Sequence, residues 1–143
     1  MQIREIMTKN IDWIKGDGSV IEAARRMRDE DIGALPVADD DQLIGMLTDR
    51  DIVIRALPDG KDPSTVKVRE AMSGKVLYCF DDQEAEDVAA NMGDNQVRRL
   101  PVVNRDKRLV GMVSLGDIAE KASERTAGEA LGEISEDRPS HAA

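Results

Sequence analysis

The chain has 143 residues, of which 20 are basic and 29 acidic, so its net charge is −9. This length accommodates one domain or two very small ones and excludes a large two-domain enzyme. Because nucleic-acid affinity depends on neutralising phosphates with Lys and Arg, the charge argues against partners such as nucleic-acid backbones or anionic membranes, and the 2% aromatic content predicts a largely aliphatic core.

No segment of the sequence predicts a secretory or membrane-spanning element. Eighteen consecutive apolar residues never occur, and the N-terminal region carries charges every few positions. The single cysteine, Cys79, cannot form an internal disulfide, and one cysteine with one histidine cannot make a zinc site. We therefore expect a cytoplasmic protein in a reducing compartment, with no metal site.

The first half of the chain reads as an extended stretch, a helix, two strands and a second helix. These elements are expected at residues 11–15, from Val20, at 34–38 and 43–47, and at 49–57. The first helix shows an apolar stripe at helical spacing, formed by Val20, Ala23, Ala24 and Met27. Ser19 and Glu22 predict a capping box at its start. Asp39 to Asp41 could bind Mg²⁺ or Ca²⁺ by residue type, but their place between two strands favours a solvated hairpin turn.

The second half repeats this order after a linker. The elements are expected at residues 76–80, from Ala85, at 99–103 and 108–113, and at 115–127. Asp81 or Asp82 is the predicted cap of the first of these helices. The linker covers residues 58–66, and residues 128–143 are expected to form an acidic tail that is mobile or bound to a partner.

An internal repeat explains this double pattern. The segment IREIMT at residues 3–8 returns 65 residues later as VREAMS, and LPV at 35–37 returns after the same interval. LIGMLT at 43–48 returns 66 residues later as LVGMVS. A long period present twice indicates a duplicated domain of α+β class, in which each copy has the order β-α-β-β-α.

The repeated residues resemble the CBS domain pair, also called the Bateman module. The signature stands as GMLTDRD at residues 45–51 and as GMVSLGD at 111–117, each following Leu-Pro-Val. As a pair with no other domain in the sequence, the chain resembles the small bacterial CBS proteins that include the hypoxic-response type. The resemblance implies a first repeat at 1–57 and a second at 67–127, packed with pseudo-two-fold symmetry.

The family resemblance implies that an adenosyl ligand binds in the clefts between the two repeats: AMP, ADP, ATP, S-adenosylmethionine or NAD. Asp51 and Asp117 would accept hydrogen bonds from ribose hydroxyls, and Thr48 and Ser114 would donate to a phosphate. Gly45 and Gly111 would let the backbone approach the ligand. An alternative stays open, because these carboxylates and hydroxyls are also the residue types that cap helices.

Further ligand contacts follow from the same resemblance. Arg98 and Arg99 precede the second Leu-Pro-Val, where related nucleotide sensors place cations against phosphates; ion pairing at the surface is the alternative. Adenine would be held near residues 8–11 and 73–76, with walls such as Met46 or Met112. Cys79 is expected to be a buried, unreactive thiol.

We expect a cytoplasmic regulatory module that senses an adenosyl ligand, requires no cofactor and acts on an unidentified protein partner. The alternative is a ligand-independent dimerisation scaffold. No Cys-His or Ser-His pair suggests catalysis, so no catalytic residue is assigned and an enzyme is not expected. A homodimer is expected through two apolar helix faces, formed by Ile52, Val53, Ala56 and Leu57 and by Ile118, Ala119 and Ala122.

Overall fold

A computed structural model describes residues 1–138 of the chain. The helices are α1 Ile3–Ile6, α2 Val20–Glu30, α3 Asp49–Asp51 with a π-helical continuation Ile52–Ala56, α4 Val68–Ala71, α5 Ala85–Asn95, α6 Leu115–Lys121 and α7 Glu124–Ile134. The strands are β1 Ile14–Lys15, β2 Ala34–Asp39, β3 Gln42–Thr48, β4 Cys79–Phe80, β5 Arg99–Val103 and β6 Leu109–Ser114. The mixed α+β class and the two strand-helix repeats are confirmed.

The chain folds into two compact units whose boundaries differ from those of the repeats. The first-repeat unit contains Asp12–Leu77 with Lys107–Leu109. The second-repeat unit contains Met1–Ile11, Tyr78–Asp106 and the described residues from Val110 on. The opening segment of each repeat therefore folds in the unit built around the other repeat.

The first-repeat unit is built on a three-stranded sheet in the order β1-β2-β3. Strand β1 pairs in parallel with β2, and β2 pairs antiparallel with β3, so that Pro36 lies opposite Met46. The polar turn between β2 and β3 is tight, since Asp40 and Asp41 both have positive φ. The core is aliphatic, as predicted, and its buried residues include Ile14, Val20, Met27, Leu35, Val37, Leu47 and Val68.

The second-repeat unit has the equivalent sheet in the order β4-β5-β6, with β4 parallel to β5. Its buried residues include Ile3, Ile6, Cys79, Val88, Met92, Val102, Val113 and Ile118. Ile3 and Ile6 belong to the opening segment, whose Thr8 forms a two-way backbone bridge with Met112. The opening segment is thus part of this core and of this sheet.

Two helix boundaries differ from the prediction. Neither Asp81 nor Asp82 caps α5, because Arg105 binds both oxygens of Asp82 at 2.7 and 2.8 Å and Asp81 faces Arg4 at 3.6 Å. Glu84 takes the cap position without a side-chain hydrogen bond. The predicted helix at 115–127 is broken at Ser123, whose extended backbone starts α7 and whose hydroxyl accepts from the Thr126 N–H at 3.1 Å.

Helix α7 also occupies the beginning of the predicted tail. Its buried Ala127 and Ala130 pack within the second-repeat unit, where α7 contacts α5 and α6. The Gln96 side chain donates to the carbonyls of Glu133 and Glu136, which fastens the end of α7 to the end of α5. Residues 128–134 of the predicted tail therefore belong to α7, while 139–143 lie outside the described residues. Among residues 1–138 no helix is long and apolar enough to cross a membrane.

Candidate functional site

Each unit carries one hydroxyl and one carboxylate locked together at the start of a helix. In the second-repeat unit, the Ser114 hydroxyl accepts from the Asp117 N–H at 3.0 Å, and Asp117 Oδ2 accepts from the Ser114 N–H at 2.9 Å. In the first-repeat unit, Thr48 and Asp51 repeat this arrangement at 3.1 and 2.9 Å. The capping interpretation of all four residues is confirmed.

Capping uses only one oxygen, Oδ2, of each carboxylate. Asp117 is half-buried, and no other group among residues 1–138 forms a hydrogen bond with its side chain. Asp51 is 9% exposed, and its Oδ1 lies 3.9 Å from Arg55 Nε. A carboxylate oxygen fixed in this way can accept hydrogen bonds from ligand hydroxyls without having to be ordered first.

The two signature glycines are required by the chain itself. A Cβ on Gly111 would lie 2.7 Å from the Thr8 carbonyl oxygen, and a Cβ on Gly45 would lie 2.8 Å from Met72 Sδ and 3.2 Å from the Ser73 carbonyl oxygen. The backbone that approaches each glycine is therefore the opening segment in the same unit. A contact of either glycine with a ligand stays a prediction.

Arg98 and Arg99 lie with Ser114 in one cleft of the second-repeat unit, with a volume of about 580 Å³. The cleft is lined by Arg98, Arg99, Ser114, Leu115, Gly116, Ala119, Glu124, Ala127, Gly128 and Leu131. Both arginines are exposed, and neither forms an ion pair with any group among residues 1–138. Asp117 is not part of the lining.

The segments expected near adenine lie beside the signature strands. Thr8 and Met112 exchange backbone hydrogen bonds of 2.8 and 3.0 Å, and the Ser73 N–H donates to the Met46 carbonyl at 3.2 Å. These amides of Thr8 and Ser73 are consequently used by the fold. Binding of adenine by the residues that follow them stays a prediction.

Two further cations belong to these surroundings and were missed from the sequence. Arg55 Nη1 donates to the Met72 carbonyl at 3.1 Å, and Lys121 Nζ donates to the Ile6 carbonyl at 3.4 Å. Each cation therefore ties the helix that follows a signature to the opening segment of the same unit. The signal was present, because a cation stands four residues after the aspartate in both repeats.

The other candidate groups have structural explanations. Asp39 and Asp41 pair with Arg69 at 3.6 Å and with Arg108 at 2.7 Å. Cys79 is buried as expected, and burial raises the pKa of its thiol to about 12. Within residues 1–138, no group of three or more His, Cys, Asp or Glu side chains is placed to hold a metal ion.

Comparison with known proteins identifies the repeated unit. The chain matches the CBS domain family over residues 3–57 and 68–124. It is 39% identical to the Bacillus subtilis protein YlbB over 139 residues, which covers 94% of this chain and 92% of YlbB. It is 41% identical to hypoxic response protein 1 of Mycobacterium tuberculosis over 122 residues, or 85% of each chain.

Solved structures agree with this comparison. The crystal structure of hypoxic response protein I with two coordinated zinc ions has a TM-score of 0.78 at 40% identity, covering 85% of this chain and 98% of that one. The CBS domain pair of MJ0100 in complex with 5′-methylthioadenosine and S-adenosyl-L-methionine scores 0.73 at 28% identity, covering 84% and 98%. CBSX2 in complex with AMP scores 0.74 at 26% identity, covering 87% and 97%.

Proposed function

Because the chain belongs to the CBS domain family, we propose that it is a regulatory module that binds an adenosyl ligand and thereby changes its association with a partner protein. We propose a regulatory rather than a catalytic role, in the cytoplasm expected for a chain with one free, buried cysteine. The binding of AMP by CBSX2, and of 5′-methylthioadenosine and S-adenosyl-L-methionine by the MJ0100 pair, supports this choice of ligand class.

The observation that carries the proposal is the cleft of the second-repeat unit. In a chain of net charge −9, two adjacent arginines without an ion-pair partner among the described residues share a cleft with a hydroxyl. Guanidinium groups bind phosphate oxygens through paired N–H donors, and Ser114 adds a third donor. In this proposal Arg98, Arg99 and Ser114 hold the phosphate of a nucleotide.

The ribose is assigned to the carboxylates. Asp117 and Asp51 each have one oxygen bound to a backbone N–H and one directed elsewhere, so each can accept from the 2′- and 3′-hydroxyls. Thr48 would donate a hydrogen bond to the ligand of the first-repeat unit. Gly45 and Gly111 would contribute by allowing the opening segments to lie against the signature strands, beside the adenine.

Calorimetry with adenosine, AMP, ADP, ATP, S-adenosylmethionine and NADH tests the proposal. A ligand that binds only the folded chain stabilises it by about 2.7 kcal/mol at a hundredfold excess over Kd, which raises the melting temperature by several degrees. Asp51→Ala and Asp117→Ala should each weaken one site, because a hydrogen bond to a charged group contributes roughly 1.5–3 kcal/mol. Unchanged affinity in both variants would remove the ribose assignment.

The phosphate assignment has its own test. The double variant Arg98→Ala, Arg99→Ala should lower the affinity for ADP or ATP at least about tenfold, while adenosine affinity changes by less than about twofold. The control Arg25→Ala, Arg28→Ala removes the same charge from the exposed side of α2. An ATP-to-adenosine affinity ratio that is equal in the double variant and the wild type contradicts the assignment.

A ligand-independent dimerisation scaffold is the second candidate, and an exposed apolar face favours it. Val53, Ile54 and Leu57 are 57%, 47% and 50% exposed. Both predicted faces differ from the structure. In the first repeat Ala56 is buried and Ile54 is exposed, and in the second Ile118 is buried and α7 packs on α6. We propose a homodimer formed through Val53, Ile54 and Leu57.

Light scattering tests the proposed homodimer. It should return about twice 15.7 kDa for the wild-type chain, and Val53→Asp should halve that mass. A wild-type chain that remains at the monomer mass contradicts the dimer.

A further inference from the structure

The two units carry charges of opposite sign at different positions beside their signature hydroxyls. Arg98 and Arg99 precede the second Leu-Pro-Val, whereas Gly33 and Ala34 precede the first. At the position after the hydroxyl, the first repeat carries the charge: Asp49 follows Thr48, whereas the uncharged Leu115 follows Ser114. The repeat that has two cations therefore lacks the extra carboxylate, and the repeat that has the carboxylate lacks the cations.

The backbone at this point is the same in both units. The Leu115 N–H donates to the Arg98 carbonyl at 2.8 Å, and the Asp49 N–H donates to the Gly33 carbonyl at 2.9 Å. These matching bonds place Leu115 against Arg98 in the second-repeat unit and Asp49 against Gly33 in the first-repeat unit. The difference between the two places thus lies in their side chains.

In the first-repeat unit, the Asp49 side chain lies against Gly33, which is the equivalent of Arg98. A Cβ built on Gly33 would lie 3.1 Å from Asp49 Oδ2, and Asp49 Oδ1 accepts from the Arg50 N–H at 2.8 Å. The carboxylate is therefore held against Gly33. The side chain of Arg50 is exposed.

The local formal charge then differs between the units. Asp49 and Arg50 sum to zero, whereas Arg98, Arg99 and the Glu124 carboxylate in the same cleft sum to one positive charge. A phosphate monoester carries about −1.5 to −2 at neutral pH, so it is attracted to the second arrangement and meets the Asp49 carboxylate in the first.

We infer that the two units bind adenosyl ligands of different chemical classes. The second-repeat unit, with Arg98, Arg99 and Ser114, takes a ligand with a 5′-phosphate. The first-repeat unit, where Asp49 stands beside Thr48 and Gly33, takes an adenosyl ligand whose 5′ substituent is uncharged or cationic. This assignment rests on the proposed function and adds the ligand class of each site to it.

Calorimetry with AMP and with 5′-methylthioadenosine separates the two sites. We expect AMP to bind one site per chain, with affinity reduced at least tenfold by Asp117→Ala or by Arg98→Ala, Arg99→Ala and changed less than twofold by Asp51→Ala. Asp51→Ala should instead weaken 5′-methylthioadenosine. AMP binding that is weakened equally by Asp51→Ala and Asp117→Ala overturns the assignment but leaves the proposed function intact. A wild-type chain that binds none of the adenosyl ligands overturns both.

A transplant tests the cause directly. The triple variant Gly33→Arg, Ala34→Arg, Asp49→Leu places the residue types of the second unit in the first, and we expect a second equivalent of AMP to bind. The control Asp59→Arg, Asp40→Asn makes the same change in net charge at exposed positions elsewhere. If the triple variant does not fold, Asp49→Asn alone should raise AMP affinity at the first-repeat site about threefold. An AMP stoichiometry and affinity no different from those of the control overturn the inference.

Discussion

The two units share a sheet order and a capped signature but differ in what covers their helices. In the second-repeat unit, α7 packs over α5 and α6 and forms one wall of the arginine cleft. In the first-repeat unit, no such helix follows, and Val53, Ile54 and Leu57 stay exposed. The two units therefore share the elements that build each core, while an added helix and a few differing residues give the second a cleft with two arginines and leave the first with an exposed apolar surface.

The largest effect should come from the opening segment. Ile6 is buried in the second-repeat unit, whereas its repeat equivalent Ala71 is already small. Ile6→Ala should lower the free energy of unfolding by about 2–5 kcal/mol, because it leaves a cavity in an aliphatic core. Hydrogen exchange should show the loss of protection in α5 rather than in α2. Lys9→Ala in the same segment is the control, and protection lost mainly in α2 would contradict the assignment of this segment to the second-repeat unit.

Substituting the two signature glycines by alanine should lower the free energy of unfolding by different, smaller amounts. Gly111→Ala forces a Cβ against the Thr8 carbonyl oxygen, part of a fixed backbone, and should cost about 1–3 kcal/mol of stability in urea unfolding. Gly45→Ala meets the flexible end of Met72 first and should cost less. Gly74→Ala has open space around its Cβ and is the control. Equal losses for Gly111→Ala and Gly45→Ala would show that the opening segments are held with similar freedom.

Strand β4 should contribute to the pH dependence of the free energy of unfolding through Cys79, whereas the equivalent strand β1 should not. Burial raises the pKa of Cys79 to about 12, whereas Ile14, its equivalent in β1, does not titrate. The stabilising effect of the neutral thiol is complete well below the unfolded pKa near 9 and declines as the pH rises above it, by up to about 1.4 kcal/mol per pH unit. The free energy of unfolding measured in urea should therefore fall less for Cys79→Val than for the wild type between pH 9 and pH 10. Parallel curves for the two proteins would rule out this contribution.

The smallest effect concerns the carboxylate in the arginine cleft. Glu124→Gln should raise the ratio of ATP to AMP affinity by about 1.4- to fivefold, since an exposed charge contributes roughly 0.2–1 kcal/mol. Glu120→Gln removes the same charge from α6 without touching the cleft. Calorimetry in low and high salt should show the difference shrinking with screening. An equal change in both variants would assign the effect to net charge.

Much of the fold could be predicted from local pattern. The apolar periods of α2 and α5 and the Leu-Pro-Val strands are short-range features, so the repeated order of elements follows from them. The family was evident from the paired signatures, and both capping pairs follow from residue type at fixed spacing. Helix α7 was missed although Ala127, Ala130, Leu131 and Ile134 have helical spacing, because small residues give a weak apolar signal.

The sequence by itself therefore determined the duplicated architecture, the family and the residue types at each candidate site. Only the tertiary structure decided that each opening segment folds with the other repeat, that Gly111 faces the Thr8 carbonyl, and that α7 closes a cleft around Arg98 and Arg99. The reason is physical: periodicity and capping act over a few residues, whereas these contacts join positions far apart in the chain, and their free energy depends on burial and close approach that no local pattern records.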